Sequence, residues 1–364
     1  MARELVEIPD DGAALLFALG CLGAAARLAV AGRLRSVSAA LRGRPTPPRS
    51  PNRSLPAMTS LSPRPRLLGL ICGTLAVALG MAHMLAAGAP SDYLLVNLAA
   101  LVLGATAWLA LGPATRSSLA GAGPAILALS AALLLTAWLG ASAAGASRWV
   151  SVGPLSLQVS FIVLPAMILL FARRPDRTGT AGMIAAALAL ALQPDRGMAG
   201  ALAAALLALL IAKRGRFEAL AAAASLLAFG WTLLIPDPLP ATAFVDSVFL
   251  TAFRVHPLVG AAVTIGAVAL LAPAAAGLVG RTGDRAVLVA FGACWAAVVA
   301  AAALGNYPTP LVGYGGSAVL GYLLSVSLLP AGARRSGARA AAPPPAEVEG
   351  PERTSPDLRV ARPA

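Results

Sequence analysis

From position 67 onward the chain alternates between apolar runs and short polar or basic breaks. Runs without a charged residue cover 67–88, 93–112, 119–141, 156–172, 180–194, 198–212, 219–235, 258–279, 286–304 and 317–330. A helix needs roughly 20 apolar residues to cross the hydrocarbon of a bilayer, and most of these runs approach that length. The pattern predicts ten membrane-spanning helices, hence an all-α polytopic bundle with no soluble domain of useful size.

The breaks differ in charge, and the difference sets an orientation. Arg116, then Arg173, Arg174 and Arg177, then Lys213, Arg214 and Arg216, then Arg281 and Arg285, then Arg334, Arg335 and Arg339 fall in every second connection. Basic loops stay on the cytoplasmic side. The intervening loops hold only Arg148, Arg196 and Arg254, one each, and face outward. This distribution also disposes of nucleic acid as a partner. The net charge of +13 is spread over short loops rather than gathered on one face. With 58% hydrophobic and 12% charged residues and a mean hydropathy of +0.80, the chain has the composition of an integral membrane protein. Cys21, Cys72 and Cys294 lie in apolar runs without partners at disulfide or metal-ligand spacing, and read as small buried hydrophobes.

Ahead of this series, Ala13 to Ala31 forms a weaker apolar run interrupted by Arg27, and an Arg/Pro/Ser-rich stretch follows to Arg66. The stretch reads as a disordered cytoplasmic linker. Three readings of the run stay open: an extra span, an amphipathic surface helix, or sequence upstream of a true start at Met58. The acidic opening ARELVEIPDD is the reverse of a signal-peptide n-region. The organisation is therefore an N-terminal apolar segment with linker over 1–66, a membrane domain over 67–330, and a Pro-, Arg- and Glu-rich cytoplasmic tail over 331–364, read as disordered.

Carboxylates cost on the order of 3 kcal/mol at the centre of a membrane helix, so their places are informative. Asp176, Glu218 and Asp284 fall on the cytoplasmic side, and Asp92, Asp195, Asp237 and Asp246 on the outer side. A general base working outside the cell must come from those last four. Unusual sequence gathers on the same side: GASRWVSVGPLSLQVS from Gly145, LQPDRG from Leu192, FVDSVF from Phe244 and NYPTPLVGYGGS from Asn306. Four polar segments on one face point to one shared cavity. Each also has a local explanation: Arg148 and Trp149 as an interfacial anchor, Asp195 as a helix cap, the GYGGS run as a helix-entry turn. His256, just before Pro257, reads as a solvated loop residue, and His83 as a hydrogen-bonded packing residue.

Taken in order, these segments resemble the SEDS family of ten-span membrane proteins, typified by cell-division and rod-shape peptidoglycan polymerases. Gly145, Arg148, Trp149, Gly153, Gln158 and Ser160 match the family's first motif, and Gln193, Pro194, Asp195 and Gly197 its second. Asp246 and Phe249 match the third, Gly260 falls where the family enters its eighth span, and Pro310, Tyr314, Gly315, Gly316 and Ser317 match the fourth. The resemblance covers about residues 67–330. Val159, Phe161 and Leu164 stand where the family has a Pro, a Glu and a Lys, and Arg254 and Val255 replace two Glu residues.

The resemblance implies a multi-pass protein of the bacterial inner membrane with its active face outward. An acceptor sugar hydroxyl would attack the anomeric carbon of a lipid-linked disaccharide. Asp246 would be the base, and Arg148 and Arg196 would hold the departing pyrophosphate, with a divalent cation (Mg or Mn) as the implied cofactor. Trp149, Gln158, Ser160, Gln193, Asp195, Tyr314, Gly315, Gly316 and Ser317 complete the implied substrate-binding set. The implied partners are the lipid-linked peptidoglycan precursor, a membrane-anchored transpeptidase and membrane lipids, in cell division or cell shape. Two other readings stay open: a non-catalytic scaffold or precursor-binding partner of a transpeptidase, favoured by the lost Glu and Lys, and a lipid-precursor transporter.

The alternation of loop charge makes Arg173 to Arg177 cytoplasmic and Gly145 to Gly153 external. A cysteine introduced at Thr178 should be shielded from a membrane-impermeant thiol reagent in intact cells, and one introduced at Ser151 should react. Strong labelling at Thr178 would reverse the topology.

Overall fold

The computed structural model of the protein describes residues 64–331 apart from 115–121, 144–145, 153–154, 238 and 282. The apolar N-terminal run, the linker and the C-terminal tail lie outside the described residues, as do Gly145 and Gly153. The described chain is a helical bundle: α1 Pro65–Ala86, α2 Ser91–Ala114, α3 Ala122–Leu139, α4 Val159–Arg173, α5 Arg177–Leu192, α6 Arg196–Lys213, α7 Arg216–Leu234, α8 Val248–Val255, α9 Pro257–Ala269, α10 Ala272–Val279, α11 Arg285–Leu304 and α12 Gly316–Ser327.

Each of the ten apolar runs is helical, but their lengths differ. Six helices are long and apolar enough to cross a membrane, seven if α9 and α10 count as one bent span. α4, α5 and α12 are apolar but shorter, at 15, 16 and 12 residues. The α9–α10 pair bends by 48° at Leu270 and Leu271. Pro273, in the first turn of α10, has no N–H to continue the ladder. The Leu270 carbonyl at the bend accepts a hydrogen bond from the Tyr322 hydroxyl at 3.2 Å, so the break leaves no buried acceptor stranded there.

The interior is built around α6 and α11, of which about two thirds is buried; α2, at 17%, is the most peripheral of the long helices. Lipid tails are as apolar as leucine, so helices associate by close packing rather than by escape from water. The sequence of α6 meets that demand with Ala199, Ala201, Ala203, Ala204, Ala205 and Ala208, all buried. α11 packs on one side of it and α7 on another. The large side chains concentrate beside α12, where the Trp295 ring meets Tyr322 edge-on at 5.1 Å and its Nε1–H donates to Ser325 Oγ at 3.2 Å. α12 reaches α4 just as closely. A Cβ on Gly321 would overlap the Phe161 carbonyl.

One segment read as a loop is not one. Residues 141–158 form a three-stranded antiparallel sheet, β1 Ala141–Ala143, β2 Ala146–Val152 and β3 Leu155–Gln158, with Trp149 opposite Gln158 and Ser151 opposite Ser156. Its sequence signal is the period-two alternation Val150, Ser151, Val152 and Leu155, Ser156, Leu157 around a Gly-Pro turn. The sheet also shortens the fourth helix, which starts at Val159 rather than 156 because the preceding residues are paired in β3.

Because the α4 and α12 backbones meet at Gly321, Gly321→Ala should push them apart. Overpacking of this kind costs about 1–3 kcal/mol, read as a lower thermal midpoint of the detergent-solubilised protein. An unchanged midpoint would mean that the two helices do not touch there.

Candidate functional site

All four polar segments converge on one cavity of about 520 Å³ at the end of the bundle that carries the sheet. Arg148 and Trp149 come from β2, Gln158 from the end of β3, and Asp195 and Gly197 from the α5–α6 turn. Asp246 comes from the stretch before α8, and Tyr314, Gly315 and Ser317 from the entry to α12.

Asp195 lines the cavity and is 2% exposed. One oxygen caps α6 by accepting the Met198 N–H at 3.2 Å. The other accepts from Ser160 Oγ–H at 2.7 Å and from Gln158 Nε2–H at 3.0 Å. The Gln158 N–H in turn donates to Ser317 Oγ at 3.0 Å, which joins α12 to the same cluster. The helix-cap reading of Asp195 is therefore right, and incomplete. Its lone pairs are spent on the protein, so it is not a free base.

Arg148 is not an interfacial anchor. Its guanidinium is buried, donates to Asp237 Oδ2 at 2.6 Å and also bonds the Pro194 carbonyl. Arg148 Nε and Asp237 Oδ1 are buried without a hydrogen-bond partner. The pair leaves Asp237 engaged as well. Asp92 lies exposed in the first turn of α2, outside the cavity.

Of the three carboxylates that line the cavity, Asp246 is the one held by a backbone N–H alone. It is half-buried, accepts the Thr242 N–H at 2.8 Å, and its backbone pairs with that of Pro308. Burial pushes its carboxyl above the ordinary range and the neighbouring Asp237 adds to the rise, while the Thr242 N–H and the Arg148 guanidinium oppose it. Burial raises the nearby Tyr307 phenol to about 12, against the pull of Arg196.

Four residues of the implied substrate-binding set do not line the cavity. Ser160 is covered by its bond to Asp195. Gln193 is fully buried and donates to the Leu133 carbonyl at 2.7 Å. Arg196 donates from Nη2 to Ile235 O at 2.8 Å and from Nε to Thr232 O at 3.3 Å, tying α6 to the end of α7. Gly316 packs on Val96 and Ala100 of α2. His256 caps α9, its Nδ1 accepting the Leu258 N–H, and stays exposed. His83 is buried against Phe244 with neither ring nitrogen hydrogen-bonded, contrary to the packing residue with a partner read from sequence.

The chain alone did not mark Asp237 as the partner of Arg148, whereas Tyr307 and Thr309 lie in the NYPTPLVGYGGS segment expected at the cavity. Asp237 and Arg148 are 89 positions apart, and no spacing rule links them. Among the described residues no three His, Cys, Asp or Glu side chains converge as metal ligands.

The arrangement defines a class: a multi-pass helical membrane protein with an acid-and-base-lined cavity at one end of its bundle. Within that class its fold is that of the rod shape determining protein RodA from Thermus thermophilus. The solved structures of RodA and of an Asp-to-Ala mutant of it are similar to this chain with TM-scores of 0.51 and 0.53. At 22% identity, each covers 71% of this chain and 94% of its own. The fold expected from the SEDS resemblance is thereby borne out, in a chain far diverged in sequence. No protein-family model and no curated protein sequence matches the chain.

The Arg148–Asp237 pair is buried, with side chains only 7% and 13% exposed. Arg148→Met strands Asp237 and should destabilise the protein by about 3–5 kcal/mol. Arg148→Met combined with Asp237→Leu should recover most of that loss. Thermal midpoints of the two variants and the wild type check this; equal losses in both would mean the pair does not form.

Proposed function

We propose that the protein polymerises a lipid-linked peptidoglycan precursor at the outer face of the bacterial inner membrane, with a membrane-anchored transpeptidase as its partner. The observation that carries this reading is the state of the outer carboxylates. Asp195 is consumed by Met198, Gln158 and Ser160, Asp237 by Arg148, and Asp92 faces away. This leaves Asp246, held by the Thr242 N–H alone, as the least engaged carboxylate inside the cavity. The RodA-like fold supports the same reading, as does a volume within the roughly 300–1,000 Å³ range of small-molecule sites.

In this scheme Asp246 takes the proton of the acceptor sugar hydroxyl as that oxygen attacks the anomeric carbon of the donor. The bond from that carbon to the lipid pyrophosphate breaks, and the pyrophosphate departs with the electron pair. A weak nucleophile needs a positioned base, and a base whose pKa lies nearer to neutrality shares the proton more effectively. Arg148 exchanges Asp237 for a phosphate oxygen, where a guanidinium can bind in bidentate fashion. Arg196 bonds the carbonyls of Thr232 and Ile235 and acts on the phenol of the cavity residue Tyr307, so it supports the site from behind its wall. Trp149 and Tyr314 offer flat apolar walls to a sugar ring. No step uses a metal ion.

A second reading has one observation in its favour. Arg148 is already neutralised by Asp237, as suits a chain that binds precursor for a partner enzyme without turning it over.

Asp246→Ala and Asp246→Asn should each lower glycan polymerisation by about two to four orders of magnitude while membrane insertion is kept, since an amide retains the shape but accepts no proton. The base works only when ionised, and burial keeps Asp246 protonated to higher pH than a free Asp of about 3.9. Activity should therefore fall with decreasing pH through a midpoint above that value. Gel analysis of chains made from purified precursor reads both effects. Undiminished synthesis by both variants would move the base elsewhere, and an inactive wild type with a competent partner present would leave the non-catalytic reading.

A further inference from the structure

Asn97 is the only asparagine within the ten apolar runs, and it lies on α2, the most peripheral of the long helices. It is nonetheless completely buried. Its amide is used in both directions: Nδ2–H donates to the Gly313 carbonyl at 2.9 Å, and Oδ1 accepts the Gly315 N–H at 3.1 Å. Between those two glycines stands Tyr314, whose ring stacks on Tyr93 with centroids 3.9 Å apart and planes 14° from parallel. Tyr93 precedes Asn97 by four residues and so lies on the same face of α2. One helix face thus grips three consecutive residues, of which Tyr314 and Gly315 line the cavity.

The grip continues toward the base. The Tyr314 N–H donates to the Phe244 carbonyl at 2.6 Å, and the Thr309 N–H donates to the Val245 carbonyl at 2.8 Å. Phe244 holds φ +64°, a left-handed conformation a phenylalanine rarely adopts, and its ring rests edge-on against Tyr93. Two residues further lies Asp246, its backbone bridged to Pro308. Neither the 242–247 stretch nor the 306–315 stretch has a regular ladder to fix it. Their shared hydrogen bonds make them one unit, and Asn97 is the side chain that ties this unit to a membrane helix. Its burial makes the tie strong, because a buried Gly313 carbonyl left without its donor keeps the full cost of its desolvation.

We propose that Asn97 is a positioning residue for the cavity: from α2 it fixes the Gly313–Gly315 turn, and through Tyr314 and Phe244 it fixes the stretch that presents Asp246. The positioning itself follows from the hydrogen bonds. Its consequence for turnover rests on Asp246 being the base.

The test separates the two. Asn97→Leu keeps the volume and removes both hydrogen bonds, and Asn97→Ala does the same without the branched side chain if leucine does not pack. Amide hydrogen exchange of the full chain in nanodiscs, read by mass spectrometry, should be at least tenfold faster in peptides covering 242–247 and 309–316, and unchanged in α6 and α11. Leu98→Ala, at an exposed position on the same helix, should leave every peptide unchanged. Exchange at the wild-type rate in both stretches for both variants overturns the proposal, and so does equal acceleration throughout the bundle, which would mark Asn97 as a general packing residue.

In protein that polymerises precursor, the variants should lose about tenfold in kcat with KM within about twofold. The acidic limb of the pH profile should move to lower pH as the loosened stretch hydrates Asp246. A limb that stays in place while kcat falls overturns the route through Asp246. If the wild type makes no glycan, the exchange result still decides the positioning while the catalytic reading falls.

Discussion

The mouth of the bundle depends on the buried carboxylate of Asp195. It accepts from the first turn of α6, from the first turn of α4 and from the end of β3, and Gln158 carries the connection on to α12. α6 is a central helix, so one acid holds the cavity ends of the interior elements in register. A carboxylate is suited to this because it accepts several hydrogen bonds at once, and bonds to an ionised acceptor are roughly twice as strong as neutral ones. Every other feature of the cavity is placed relative to this joint. Arg148 reaches Pro194 next to it, and Arg196 next to it reaches the end of α7.

Away from the mouth the constraint is lipid. Trp138, Leu139, Leu227 and Leu234 are strongly exposed, which would be a liability in water and is the ordinary state of a surface that meets acyl chains. The helices gain nothing by hiding such residues from lipid, and hold together through small side chains and backbone approach instead. α6 with its alanines and Gly321 against α4 are the clearest instances. The same absence of water explains why hydroxyls that enter the helices turn back onto their own backbone, although His83 enters without a partner. The hydroxyls of Ser130, Thr136, Ser225 and Thr232 each return to a carbonyl one turn back.

Much of this was legible beforehand. The apolar runs and their spacing mark the helices, and the alternation of basic loops places the polar motifs on one side, where the structure does bring them into one cavity. The sheet was missed because its alternation is short and sits between longer apolar runs that dominate any hydropathy pattern. The short helices α4 and α12 were overextended for a related reason, while α5 was placed too late, at 180–194 against Arg177–Leu192. Apolar residues continue beyond these ends, but the backbone there is committed to β3, to the turn at Gln193, and to the approach to Pro330. The motif residues separated in the same way: Arg148, Trp149, Gln158, Asp195, Asp246, Tyr314, Gly315 and Ser317 reach the cavity, while Ser160, Gln193, Arg196 and Gly316 support it from behind.

The sequence by itself determined that the protein lives in a membrane, roughly how many helices it has, which end carries its polar chemistry, and which four outer carboxylates could act as a base. Those properties follow from local composition and from charge counted loop by loop. Which carboxylate is least engaged was decided only by the tertiary structure. Asp195, Asp237 and Asp246 look alike along the chain, and differ because one meets Gln158 and Ser160, one meets Arg148, and one meets a single backbone N–H beside the cavity. Those partners lie from 4 to 89 residues away, and a hydrogen bond is a matter of separation in space, which sequence distance does not encode.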